Sequence, residues 1–132
     1  MPDGVGLEWI EADLSSPREA AQLMAQKAPS ALDVLICNLG VWEAAAFSDS
    51  YRFVEDDDDE IAAMVNINIT STILTLKHLV PRLLSSERPQ VILTGSTSGL
   101  RQSGRPEVTF GASKFALSGI ADALRESFRD QR

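Results

Sequence analysis

Apolar residues fall along this chain in short blocks separated by polar turns, and the spacing within each block predicts an element. Leu7 to Ala12 reads as a short strand, with Trp9 and Ile10 supplying β-favouring bulk. After Asp13-Leu14-Ser15, the run Ser16-Pro17-Arg18-Glu19 predicts a helix start. Ser16 can cap, Pro17 suits the first helical position and Glu19 can reach back as a capping-box partner. That helix is expected to run to about Gln26. Asp33-Val34-Leu35-Ile36-Cys37 is then a continuous apolar run, as in a strand buried on both faces, and it stops at Asn38-Leu39-Gly40.

Val41 to Phe53 mixes apolar and polar residues without a period and reads as a loop. The acidic run Glu55 to Glu60 has no accompanying histidine or spaced acceptor pattern. Carboxylates favour the positive end of a helix dipole, so it predicts a solvated helix start rather than a metal site. A long helix follows, from about Asp58 to Leu84, carrying Asn66, Asn68 and the single histidine, His78, read as a surface or interface residue. Pro89-Gln90 leads into Val91-Ile92-Leu93-Thr94, another buried strand, and Gly95 to Pro106 is a glycine- and serine-rich loop. The last helix, about Glu107 to Arg129, places Phe110, Leu117, Ile120, Leu124 and Phe128 close to helical spacing. Three strands alternating with three helices predict an α/β fold with a parallel sheet. No repeat or linker divides the chain.

Composition narrows the function classes. A chain of 132 residues suits one domain, and 44% hydrophobic with 23% charged residues is ordinary for a globular protein. A net charge of −7 without basic clusters argues against a nucleic-acid partner. The lone Cys37 cannot form an internal disulfide, which fits a reducing cytoplasm. No apolar stretch approaches the roughly 18 residues of a membrane span, and Met1-Pro2-Asp3-Gly4 does not begin a secretory signal. Asn68-Ile69-Thr70 matches the glycosylation pattern, and without secretion the match is expected to be accidental.

Candidate chemistry gathers where strands end. Ligands of open α/β sheets bind beyond the carboxyl ends of the strands. Asp13-Leu14 follows the first predicted strand, Asn38-Leu39-Gly40 the second, and Ser96 lies just after the third. An aspartate accepts from an adenine amine or a ribose hydroxyl, Asn38 both donates and accepts, and Gly40 permits close approach of backbone to a ligand. Each also has a bland reading, as a turn residue, a strand-ending turn or a solvated loop serine. Their joint placement favours a ligand edge.

In this order and spacing the motifs resemble the short-chain dehydrogenase/reductase family, from its third strand through its tyrosine-lysine helix. Asp13-Leu14 is similar to the family's adenine-contacting aspartate. Cys37-Asn38-Leu39-Gly40 resembles its Asn-Asn-Ala-Gly segment. Asn68, rather than Asn66, falls where the catalytic-helix asparagine lies, and Ser96 where the carbonyl-polarising serine lies. Phe110-Gly111-Ala112-Ser113-Lys114 resembles the Tyr-x-x-x-Lys signature. The resemblance implies a Rossmann-like doubly wound sheet and hydride transfer between NAD or NADP and a small carbonyl or alcohol substrate. It implies Asn68, Ser96, Phe110 and Lys114 at the catalytic positions. Asp13, Leu14, Asn38, Gly40 and Lys114 are implied at the cofactor. It also implies a homo-oligomer through the long and last helices, where Ile73, Leu76, Val80, Leu117, Ile120 and Leu124 exceed what one core can use.

Two departures qualify this. Phe110 stands at the tyrosine position and can neither give nor accept a proton; Tyr51, the single tyrosine, has no family role. The family's Thr-Gly-x-x-x-Gly-x-Gly turn has no counterpart, since Gly4 and Gly6 precede the first predicted strand. Residues 1–132 are therefore expected to form a partial NAD(P)-binding Rossmann-like domain, lacking the N-terminal glycine-rich βαβ unit and the C-terminal strands. Strands 1 and 2 of the order 3-2-1-4-5-6 would separate the first predicted strand from the second. Lys114, Ser96 and Asn68 together favour an oxidoreductase, whose chemistry is expected to be impaired in the Phe110 form; Phe110 and the missing turn favour a catalytically inactive binding or scaffold relative. An unrelated α/β binding domain is the remaining reading.

Overall fold

The computed structural model describes residues 6–131. Two strands, β1 (Val34–Cys37) and β2 (Gln90–Leu93), pair in parallel with Val34 opposite Gln90 and Cys37 opposite Leu93. Thr94 N–H donates to Cys37 O at 3.0 Å and carries the pairing one residue further. The connection between them is the long predicted helix, here α2 (Asp58–Val65), a π-helical turn (Asn66–Thr70), α3 (Ser71–Leu79) and a closing 3₁₀ turn (Val80–Leu83). Asp57 caps its start by accepting from the N–H groups of Asp59 and Glu60, so the acidic run begins a helix as expected. α1 (Pro17–Lys27) precedes β1, and α4 (Val108–Ser127) follows β2.

The first predicted strand does not form. Leu7 to Ala12 has no ladder partner, and Trp9 is 85% exposed. A strand exists only through hydrogen bonds to a neighbour. In the strand order that the resemblance implies, that neighbour is strand 2, which no described segment supplies. The α/β class with a parallel sheet stands, with two paired strands among the described residues. The predicted capping box at Ser16 is also absent: Ser16 makes no side-chain cap, and Glu19 only contributes charge to the first turn. Pro17 at the first position and a turn closed by Ser16 N–H to Asp13 O at 3.1 Å start α1 instead. Gly4 lies outside the described residues, and Gly6 stands in open space.

One sheet face carries the core. Cys37, Leu76, Val80 and Leu83 are buried together, with Leu35, Leu93, Ile120 and Leu124 packed against them. The opposite face is open: Val34, Ile36 and Ile92 are exposed, Ile36 at 59%. β1 thus alternates in and out and is not buried on both faces, because α3 and α4 pack on the same side of the sheet. Leu76 and Val80 also leave the set of surplus apolar residues, since the core uses both. Ile120 and Leu124 are partly covered by it, while Ile73 stays exposed.

The end of α1 is satisfied from a distant part of the chain. Arg82 donates to Ala28 O at 2.7 Å and Pro29 O at 3.0 Å, and also to Ala25 O. A guanidinium thus sits at the negative end of α1 and ties it to the end of the long helix. Leu83, 2% exposed, anchors the core beside it. Leu83→Ala is expected to cost about 2–5 kcal/mol, read as a fall in the urea midpoint. Val54→Ala, at an exposed position, is expected to stay within about 0.5 kcal/mol.

Candidate active site

Both strands end at one ammonium group. Lys114 Nζ donates to Leu39 O at 2.9 Å, two residues past β1, and to Thr94 O at 3.1 Å, one residue past β2. The side chain is buried, and desolvation pushes its pKa below the usual lysine value. Two of its three N–H donors are thereby used. Two glycines make room for it. A Cβ on Gly40 would lie 3.0 Å from Nζ and 3.2 Å from Cε. A Cβ on Gly99 would lie 2.7 Å from the Lys114 carbonyl carbon. Gly99 closes a 3₁₀ turn (Thr97–Gly99) whose cap is Ser96, with Oγ accepting from Ser98 N–H at 3.2 Å.

Asn68 fixes the loop beyond Gly40. Its Oδ1 accepts from Val41 N–H at 2.8 Å, and its Nδ2 donates to Val41 O at 2.7 Å and Ser113 Oγ at 3.0 Å. Asn68 lies in the π-helical turn, where Ser71 N–H reaches back five residues to Asn66 O. Hydroxyls support the irregular turn: Ser71 Oγ donates to Ile67 O and Thr72 Oγ1 to Asn68 O. Such back-bonding satisfies carbonyls that the widened turn leaves poorly paired.

Phe110 lies one turn before Lys114, whose Nζ is 5.8 Å from the phenyl centroid, so the two share a helix face as the four-residue spacing predicts. The ring is only 5% exposed. Trp42 and Phe47, from the loop after β1, cover it edge-to-face at centroid distances of 6.1 and 5.4 Å.

Two buried carboxylates brace that loop to α4. Glu43 Oε1 accepts from Thr109 and Phe110 N–H, each at 3.1 Å, and so caps α4 from 66 residues away in sequence. Glu107, the residue at the cap position, turns its own buried carboxylate away from the helix amides, to Phe47 N–H at 2.7 Å and Arg105 at 3.2 Å. Burial would raise the Glu107 carboxyl, but the Phe47 N–H, its own backbone N–H and Arg105 outweigh it and hold it below the ordinary value. Phe47 has φ 64°, left-handed backbone that costs a bulky residue about 1–3 kcal/mol.

The structure thus brings together Gly40, Asn68, Phe110 and Lys114. Ser96 lies two residues beyond Thr94, and its hydroxyl is occupied with the Thr97–Gly99 turn. Asp13, Leu14 and Asn38 are not drawn in. Asp13 is exposed and accepts from Ser15 Oγ and N–H, bonds that lower its pKa, while Asn38 is exposed and Leu14 half-buried. Glu43, Phe47, Glu107 and Ser113 were not singled out by sequence. Glu43 had a readable signal: a lone carboxylate within Val41-Trp42-Glu43-Ala44-Ala45-Ala46-Phe47, where burial demands a partner. Tyr51 is no surrogate acid. Its hydroxyl donates to Asp56 at 2.8 Å, and burial pushes its pKa up to about 12.

Comparison with known proteins decides the family: the short chain dehydrogenase profile matches residues 3–132. The chain belongs to the short-chain dehydrogenase family. A short-chain type dehydrogenase/reductase of Sinorhizobium fredii is 31% identical over 120 residues, covering 91% of this chain and 45% of the relative. Human 17-beta-hydroxysteroid dehydrogenase type 1 is 27% identical over 119 residues, covering 89% of this chain and 34% of that protein. Among solved structures, a short-chain dehydrogenase from Escherichia coli superposes with TM-score 0.82 at 25% identity, over 97% of this chain and 55% of the other. The Pseudomonas aeruginosa RhlG/NADP active-site complex superposes with TM-score 0.74 at 30% identity, over 92% and 48%. The chain therefore spans about a third to a half of the length of these curated relatives. Its open sheet face and unpaired first segment fit that share of a short-chain dehydrogenase sheet.

Gly99→Ala should lower stability by about 1–3 kcal/mol, since backbone meets backbone and neither can yield. Gly95→Ala, with nothing within 4 Å, is the matched control. Tyr51 gives a pH signature. Its folded pKa is raised above the ordinary value, so its contribution is complete below pH 10 and lost as pH rises toward 12. Tyr51→Phe is expected to flatten that part of a stability-against-pH curve measured by urea unfolding.

Proposed function

We propose that this chain forms the tyrosine-lysine half of an NAD(P)-dependent oxidoreductase acting on a small carbonyl or alcohol, with chemistry impaired in the Phe110 form. The observation that carries this reading is Lys114, a buried cation held by carbonyls at the ends of both strands and 5.8 Å from the ring at the tyrosine position. The RhlG complex with NADP, at 30% identity, supports a nicotinamide dinucleotide as the cofactor. The residues present fit its ribose end: Lys114 has one N–H donor left, beside a glycine with no side chain. Asp13, Leu14 and Asn38 are assigned to the remainder of that edge from the family pattern. No described segment carries a glycine-rich turn to seat the pyrophosphate, so negligible affinity is expected from this chain alone.

A bound nicotinamide would supply or take the hydride, which leaves the proton to this chain's own residues. Asn68 keeps the loop edge in place, Ser96 polarises the carbonyl oxygen and Lys114 sets the charge beside it. Phe110 offers no proton, which leaves reduction without its acid. A second reading, a catalytically inactive binding relative, is favoured by the depth at which Trp42 and Phe47 bury that ring. Assembly of a homo-oligomer is proposed through the long helix and α4, on which Ile73 and Phe115 respectively remain exposed.

Phe110→Tyr tests the reading in the protein that carries this chain. Lys114 would lower the new phenol's pKa, and NADPH-dependent ketone reduction is expected to rise by about 10²–10⁴-fold. An unchanged rate in a variant that demonstrably binds NADPH would remove the oxidoreductase reading.

A further inference from the structure

Three aromatic rings meet at the start of α4, and the chain spends strain and buried charge to hold them there. Trp42, Phe47 and Phe110 lie mutually edge-to-face, with interplanar angles of 62°, 84° and 88°. Phe47 adopts left-handed backbone to reach this position, and the buried Glu107 carboxylate takes its N–H. Arg105 lies 5.4 Å over its ring and is paired with the same carboxylate. Strain of this kind persists only where the surroundings impose it, and it collects at ligand sites. A ring placed only to fill a core would be covered. Phe110 is covered, yet Trp42 and Phe47 remain 57% and 47% exposed. The exposed parts of both rings lie next to the ring they cover.

We propose that Trp42 and Phe47 are specificity-determining residues, which receive a flat apolar group of the substrate, that of an aromatic or fused-ring ketone, against their open faces beside Phe110. The identity of the reacting group as a carbonyl rests on the oxidoreductase reading above; the aromatic recess does not. The lining chemistry selects this class. Val41, next to Trp42 in the chain, is exposed, Glu43 is buried against the Thr109 and Phe110 amides, and Glu107 is matched by Arg105. A small polar ketone finds little there to bond. A flat apolar one gains edge and face contacts with two rings already fixed in place, which limits the ordering cost of binding.

Trp42 can report its own occupancy. The chain has two tryptophans, and the other, Trp9, is exposed and distant from the site in sequence, so Trp9→Phe leaves Trp42 as the only indole. In that background, titration with 1-tetralone is expected to quench fluorescence saturably. Phe47→Ala should weaken the apparent affinity about fivefold or more, and Phe47→Tyr, which keeps the ring, should retain it. If Phe47→Ala loses its helical circular dichroism, Phe47→Leu carries the same expectation while keeping apolar bulk. Dihydroxyacetone, a small polar ketone, should give no saturation. Linear quenching by 1-tetralone that ignores every Phe47 variant would overturn the proposal, as would dihydroxyacetone saturating equally well. The two readings part in the NADPH assay of Phe110→Tyr. Phe47-dependent binding of 1-tetralone without turnover upholds the recess and removes the oxidoreductase. Turnover of dihydroxyacetone without saturable binding of 1-tetralone removes the recess and keeps the oxidoreductase.

Discussion

A lysine ammonium held between the ends of two parallel strands is the constraint on which the rest of the site depends. Burying that charge is tolerable only because Leu39 O and Thr94 O accept from it. To reach both, the ammonium must pass over Gly40, and α4 must approach the Thr97–Gly99 turn so closely that Gly99 has no room for a side chain. The sheet register, the two glycines and the placement of α4 therefore form one condition. Changing any one of them strands a buried charge. Lysine also suits this position because its pKa can fall when the surroundings desolvate it, where arginine would stay charged.

The loop after β1 and the start of α4 are tied by a crossed exchange. Glu43 in the loop caps the helix, while Glu107 at the helix cap holds the loop. Each carboxylate keeps one buried oxygen, Oε2, without a partner. Such groups are costly, and local caps would satisfy the helix more cheaply. What the exchange achieves is placement: Trp42 and Phe47 are pinned over Phe110, and the loop cannot shift without freeing two helix amides. Asn68 adds a third tie from the long helix, through both polar groups of Val41.

Most of the fold was legible because its signals are local. The apolar runs at Val34–Cys37 and Val91–Thr94, the acidic start at Asp58 and the four-residue spacing of Phe110 and Lys114 each determine their element or face with short-range physics. Failures came where a partner decides the outcome. Leu7 to Ala12 has strand-like residues but no neighbour to bond, and β1 has the composition of a doubly buried strand with one face open. Ser16 has the identity of a cap, yet the Asp13 turn starts the helix without it. The Glu43 and Glu107 exchange spans 60 residues on one limb and 66 on the other, and no periodicity announces it.

Retention of Asn68, Ser96 and Lys114 in one chain looks at first like a case for catalysis, since a binding relative has no evident need for all three. The hydrogen bonds weaken that inference. Lys114 holds the strand ends, Asn68 holds Val41 and Ser113, and Ser96 caps a 3₁₀ turn, so each has structural employment without any substrate. Phe110 is different. Its ring is packed by Trp42 and Phe47, and a phenol oxygen there would have to be accommodated among apolar edges or directed toward Lys114. The hydroxyl is thus the one part of the family's site that the packing of this chain does not call for. Whether the pocket tolerates it separates the two readings, because the framework that would lower its pKa is already built for reasons of stability. The fold can keep the lysine, asparagine and serine in place whether or not chemistry is done there, and by the same ties it would hold a phenol at position 110 one helical turn from Lys114.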